Sequence, residues 1–97
     1  MAIQDTKPFD DASAAPEALA LAALGWVIGD RPRAQRLLDT TGLDPDQLRS
    51  GLGNPVVLAA ILRHLEAYEP DLIACADAIG ATPVQLVAAR RILEKQA

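Results

Sequence analysis

The 97-residue chain offers one histidine, one cysteine, one tyrosine and one tryptophan, so few of its side chains are equipped for chemistry. Tyr68 follows His64 by four residues, a spacing that sets both rings on one helical face, where a ring contact or a hydrogen bond is feasible. General acid–base catalysis needs more: an imidazole within reach of a serine, cysteine or carboxylate that it activates or that orients it. No such group stands at a compelling spacing, so His64 reads as a residue at the margin of an apolar stripe. Cys75 lies in the run Leu72-Ile73-Ala74-Cys75-Ala76, lacks a second cysteine for a metal or redox pair, and reads as a small buried residue. Gly51-Leu52-Gly53 is without the third glycine and preceding strand of a dinucleotide-binding loop. The expectation is a protein that is not an enzyme, with no catalytic residue, no cofactor and no metal.

The charged residues suggest structure before ligands. Arg31, Arg33 and Arg36 form the most basic local cluster, but Asp30 precedes them and Asp39 follows, which favours a solvated, salt-bridged face over a phosphate clamp. Asp39 and Asp77 fall in the last turns of predicted helices, where the helix dipole disfavours an acid. Each is expected to pair with an arginine or to accept hydrogen bonds from the first amides of the next helix.

The elements that position these residues are punctuated by proline. Six of the seven prolines, Pro16, Pro32, Pro45, Pro55, Pro70 and Pro83, sit just inside apolar stretches. There the missing N–H costs nothing and the fixed φ already suits a helix. Asp30, Asp44, Asn54 and Thr82 stand in capping positions, and Thr82/Gln85 and Asp44/Gln47 have capping-box spacing. Gly29, Gly42, Gly51 or Gly53, and Gly80 are placed to end helices in the left-handed conformation. The pattern predicts helices over 16–28, 31–41, 45–51, 55–68, 70–79 and 83–95, with no alternating stretch to compete as a strand. The fold class is all-α, a compact six-helix bundle.

The second half partly repeats the first. Sliding residues 32–48 onto 70–86 without a gap gives six identities: Pro32/Pro70, Asp39/Asp77, Gly42/Gly80, Pro45/Pro83, Gln47/Gln85 and Leu48/Leu86. At ordinary residue frequencies roughly one is expected by chance. The bundle therefore reads as two tandem three-helix units, pseudo-repeats of about 16–53 and 54–95, within a single helical domain over 15–97. Each unit contains a helix-turn-helix-like pair, joined by Gly42-Leu43-Asp44 in one and Gly80-Ala81-Thr82 in the other. A DNA-reading helix must present base-reading and phosphate-holding side chains. The outer face of the last helix offers Arg91 and Lys95 beside Val84 and Ala88, making Arg91 and Lys95 the candidate nucleic-acid face.

Three segments taken together, Ala18-Leu-Ala-Leu-Ala-Ala-Leu24, Leu38-Asp-Thr-Thr-Gly-Leu-Asp-Pro-Asp-Gln-Leu-Arg49 and Gly53-Asn-Pro-Val-Val-Leu58, resemble a short bacterial family known only as a domain of unknown function. The resemblance spans most of residues 16–93. It implies an all-helical, single-domain cytosolic protein and brings no activity with it.

Composition narrows the function classes further. Hydrophobic residues make up 51% of the chain and aromatics only 3%, which asks for an Ala- and Leu-rich core with Trp26 as its one large anchor. The formal charge of −4 argues against nucleic acid, but most of it lies at the start: residues 1–17 hold Asp5, Asp10, Asp11 and Glu17 against Lys7. That segment carries −3, leaving −1 for the other 80 residues with 8 basic and 9 acidic groups. Residues 1–14 read as a flexible acidic leader whose large apolar residue, Phe9, has the option of docking on the bundle. No secretory signal is visible, and the uncharged stretch Ala18–Gly29, about 18 Å as a helix, falls short of the ~30 Å of a bilayer core. A cytoplasmic location is expected, with no membrane partner.

The most informative segment is that same stretch, whose large residues occupy two faces: Leu19, Ala23 and Trp26 on one, Leu21, Leu24 and Ile28 on the other. A helix apolar all round is buried on more than one side or shares a face with another chain. Leu21, Leu24 and Ile28 are the candidate interaction face. The preferred reading is a protein–protein interaction module that binds a protein partner or itself, and the alternative is a helix-turn-helix protein associated with nucleic acid.

Overall fold

The computed structural model describes residues 15–97, so the acidic leader and Phe9 lie outside the described residues. Six helices follow one another: α1 (Pro16–Ile28), α2 (Arg31–Thr41), α3 (Pro45–Ser50), α4 (Pro55–Glu66), α5 (Glu69–Ile79) and α6 (Pro83–Gln96). No strand occurs among the described residues. Every helix carries proline in its first turn. Asp30 accepts from the Arg33 amide at 3.1 Å and Asn54 from the Val56 amide at 2.9 Å. Both capping boxes form: Asp44 accepts from the Gln47 amide at 2.8 Å and Thr82 from the Gln85 amide at 3.1 Å, each glutamine side chain accepting from the cap amide in return. These bonds satisfy amides that have no partner inside the helix.

The helix ends divide into two kinds. Gly42 (φ 76°) and Gly80 (φ 79°) adopt the left-handed conformation, as expected. Gly29 and Gly51 do not, with φ of −71° and −94°. Gly51 is required for space instead: a Cβ there would stand 2.6 Å from Val57 Cγ2 and 3.0 Å from the Gln47 carbonyl oxygen, so the turn after α3 lies hard against the start of α4.

Packing centres on α1, α4 and α6, with α1 also touching α2 and α5. The core is aliphatic, built from Leu19, Ala20, Ala23, Leu24 and Val27 of α1, Leu37 of α2, Leu58, Ile61, Leu62 and Leu65 of α4, Leu72, Cys75 and Ala76 of α5, and Leu86, Ala89 and Leu93 of α6. Trp26 is not its anchor. The indole packs half-buried at the edge of α1's buried arc, and the centre is filled by leucines. On the far side of the bundle, Arg90 donates to both Glu66 carboxylate oxygens at 2.8 and 2.9 Å and to Glu94 at 2.9 Å, while Arg63 pairs with Glu94, tying α4 to α6.

The repeat survives in the turns and is lost in the packing. The left-handed glycines and capping boxes recur at equivalent positions, yet α3 has six residues and none of them is buried, whereas α6 has 14 and buries Leu86, Ala89 and Leu93. α1 accounts for the difference, because it packs with α4, α5 and α6 as well as with α2. Asp39 also departs from expectation, accepting from Gln35 Nε2 on its own helix at 2.9 Å rather than from an arginine or an α3 amide.

Candidate functional site

An apolar groove opens where α1, α2 and α3 meet. Its lining is Leu24 and Ile28 from the end of α1, Ala34, Leu37 and Leu38 from α2, Pro45, Leu48 and Arg49 from α3, and Leu52 from the following turn. Its volume is about 410 Å³. The groove exists because α3 is too short to fill it: one helical turn and a half supplies one aliphatic anchor, Leu48, which is only half-buried. The left-handed Gly42 and the Asp44 capping box set the start of α3, and Gly51 packs its end against Val57 of α4. Arg49 is the charged residue in the lining, and its partner is Asp46 at 2.9 Å. Both side chains are largely exposed, at 74% and 91%, so the pair is worth less than about 1 kcal/mol and readily exchanges partners.

The three residues of the expected interaction face differ in exposure. Leu21 and Ile28 are exposed at 42% and 55%, but Leu24 is only 6% exposed. At 100° per residue Leu24 lies beside Ala20 and Val27 on the edge of the buried arc, so it forms the floor of the groove while Ile28 stands at its mouth. The segment singled out for its surplus apolar surface is therefore one wall of the groove, and α2 and α3 supply the rest. Sequence reasoning missed Leu38, Leu48 and Leu52 as members of the site. The available signal was that α3 carries one large apolar residue where its counterpart α6 carries several.

The other candidate face lies on α6. The axes of α5 and α6 turn through 99° across Gly80–Thr82, within the range of helix-turn-helix pairs. Arg91 and Lys95 are both exposed, four residues apart on the outer side. The N-terminal end of α6, which would meet base edges, instead presents Val84 at 77% exposure, and Gln85 is engaged in the capping box. The neighbouring Arg90 is committed to Glu66 and Glu94, and its bond to Glu66 holds its pKa above the ordinary arginine value.

A second, polar hollow of about 320 Å³ is lined by Arg36 and Thr40 of α2, His64 of α4, Ala67, Tyr68 and Asp71. Arg36 reaches Asp71 at 3.3 Å. His64 Nδ1 is buried without a hydrogen-bond partner, and the imidazole pKa is lowered, chiefly by burial and then by Arg36, with Asp71 opposing. A neutral imidazole thus stands near an ion pair. The lining holds no serine or cysteine for it to activate. Cys75 is fully buried, and burial pushes its thiol up to about 11, which keeps it from serving as a thiolate nucleophile. Among the described residues no group of three or more His, Cys, Asp or Glu is placed to hold a metal ion, and no single helix is long and apolar enough to cross a membrane.

The model of a family described as "Protein of unknown function (DUF3572)" matches residues 13–96. No curated protein and no solved structure matches the chain.

Proposed function

The chain belongs to the DUF3572 family, and we propose that it works as a small protein–protein interaction module without catalysis of its own, receiving an apolar segment in the groove between α1, α2 and α3. One observation carries this reading. A space of about 410 Å³, lined mostly by aliphatic side chains, stays open at the end of α1 with the exposed Ile28 in its lining. Contiguous apolar surface of this kind marks interaction sites. Leu48→Asp places a charge in the groove at a half-buried residue that packs against the edge of the core, and Val84→Asp places the same charge at an exposed residue on α6. Affinity capture from the source organism's lysate with the three proteins, each checked for helicity by circular dichroism, is expected to lose specific partners only for Leu48→Asp. Equal capture by all three, or by none, counts against the groove.

A second reading, association with nucleic acid through α5 and α6, draws support from their 99° crossing and from Arg91 and Lys95. Retention on a nonspecific duplex at low salt, lost steeply as salt rises and weakened in the Arg91→Ala/Lys95→Ala double variant, favours it.

A further inference from the structure

We propose that the outer face of α1 pairs with the same face of a second copy of this chain, the two helices antiparallel, with Leu21 seated over Gly25 of the second copy and Ile28 over its Ala18. This goes beyond the groove, whose lining includes neither Leu21 nor Gly25. At 100° per residue, Ile28, Leu21, Gly25 and Ala18 fall within about 80° of one another, on the side turned away from the buried Leu19, Ala23 and Val27. Leu21 and Ile28 are exposed, and a Cβ on Gly25 would meet nothing within 4 Å. From Ala18 to Ile28 the one polar side-chain atom is the Trp26 indole nitrogen, which lies off this face. An exposed helix face so bare of polar groups marks a surface that another element covers.

The layout of the face selects its occupant. Along the helix it runs acid, small, large, small, large: Glu17, Ala18, Leu21, Gly25, Ile28. Turned end for end about a two-fold axis level with Ala23, it matches itself, because residue 21 then stands opposite 25 and residue 18 opposite 28. Each large side chain meets a small one, so the helices can approach to about 8 Å with ridges set in grooves. The two-fold makes every such contact twice. Charge agrees with shape. Glu17, which is exposed, comes level with Gly29 of the second copy, two residues from its exposed Arg31. At that same turn Asp30 is engaged in capping α2 and Arg33 covers Trp26, which leaves Arg31 as the cation offered to Glu17. A parallel pair would instead set Glu17 against Glu17 and align the two helix dipoles. One helix face is smaller than the roughly 800 Å² per partner of a standard interface, so the pair is weak and the dilute chain is a monomer.

Sedimentation velocity of the full chain, from micromolar to near-millimolar concentration, tests the pairing. The wild type is expected to pass from monomer to dimer over that range. Leu21→Glu, and Gly25→Leu, which fills the receiving space without adding charge, are each expected to weaken the dimer at least about tenfold, while Leu48→Asp in the groove leaves it unchanged. Circular dichroism checks that all three keep the helical fold. Glu17→Lys and Arg31→Glu are each expected to weaken association severalfold, and the double variant to recover it. A wild type that stays monomeric throughout overturns the proposal, as does a dimer that Leu21→Glu and Gly25→Leu leave intact or that Leu48→Asp abolishes. A double charge variant no better than the singles overturns the antiparallel arrangement. Because Leu21 lies outside the groove, loss of self-association in Leu21→Glu and loss of partner capture in Leu48→Asp are read separately, and either can fail while the other stands.

Discussion

The Arg33 guanidinium lies 3.7 Å above the centre of the Trp26 ring and donates through Nη2 to the Trp26 carbonyl oxygen at 2.9 Å. One side chain of α2 thereby grips both the ring and the backbone at the end of α1. The Trp26 carbonyl also accepts from the Gly29 amide at 3.3 Å, so the guanidinium adds a second, shorter bond there, and its charge favours the negative end of the helix dipole. The contact also fixes α2 relative to the end of α1, which are two walls of the groove.

Arg33→Ala is therefore expected to cost about 1–2 kcal/mol, combining a cation–π contact with one charge-assisted hydrogen bond. The Trp26 emission maximum should move to longer wavelength as the ring loses its cover. Arg33→Lys should recover part of the stability, since an ammonium can cover the ring but cannot reproduce the planar fork. Chemical denaturation followed by tryptophan fluorescence checks both, and an unchanged midpoint for Arg33→Ala shows the contact to be idle.

Glycines supply a paired comparison. At Gly51 a Cβ would collide with Val57 Cγ2 at 2.6 Å, whereas at Gly25, on an exposed part of α1, nothing lies within 4 Å. Gly51→Ala is expected to destabilise by about 1–3 kcal/mol, because α3 and α4 must separate to admit the methyl. Gly25→Ala is expected to stabilise by about 0.5–1 kcal/mol, through better helix propensity and a less flexible unfolded chain. Thermal melts of the two variants should bracket the wild type, and a destabilised Gly25→Ala would mean that this face of α1 is covered in solution.

How much of this was legible depended on whether the deciding interaction was local. Pro83, Thr82 and Gln85 fix the start of α6 within four residues, and the structure agrees. The same grammar gives Leu48 and Leu86 matching places after matching turns, yet Leu86 is fully buried and Leu48 only half-buried. Burial is decided by which helices arrive from elsewhere, and α6 is met by α1 and α4. Arg36 and Asp71, 35 residues apart, meet for the same kind of reason, so of the polar hollow only the His64–Tyr68 pair showed in the spacing. The groove was half legible, since the apolar surplus of α1 pointed to it, while its other walls depend on how far α3 stands off.

Cys75 offers a probe of the α1–α5 side of the core. Its thiol is pushed up to about 11, mainly by burial, with Arg33 pulling down and Asp71 pushing up. At pH 8 the thiolate is then roughly one part in a thousand, against about one in four for an unperturbed cysteine near 8.5. Modification by an aromatic disulfide reagent is expected to run at least about 100-fold slower in the native protein than in denaturant. A native rate close to the denatured one would show that this part of the core opens freely.

His64 sets the sign of the pH dependence near neutrality. Its folded pKa lies below the ordinary 6.5, because burial and then Arg36 disfavour the imidazolium more than Asp71 supports it. Above about pH 7 the ring is neutral in both states and contributes no slope. As pH falls through 6.5 the unfolded chain takes up a proton before the folded one does, so stability declines across the window between the unfolded and folded values. Carboxylates titrate mostly below about pH 5, which leaves pH 7.5 to 5.5 to the chain's only histidine. Melting temperatures should fall over that range in the wild type and fall less in His64→Gln, whose side chain stays neutral. The imidazole proton signals, unique in the spectrum, should titrate with a midpoint below 6.5. A midpoint above 6.5 would mean that Asp71 outweighs burial and Arg36, and the melting temperature would then rise on acidification.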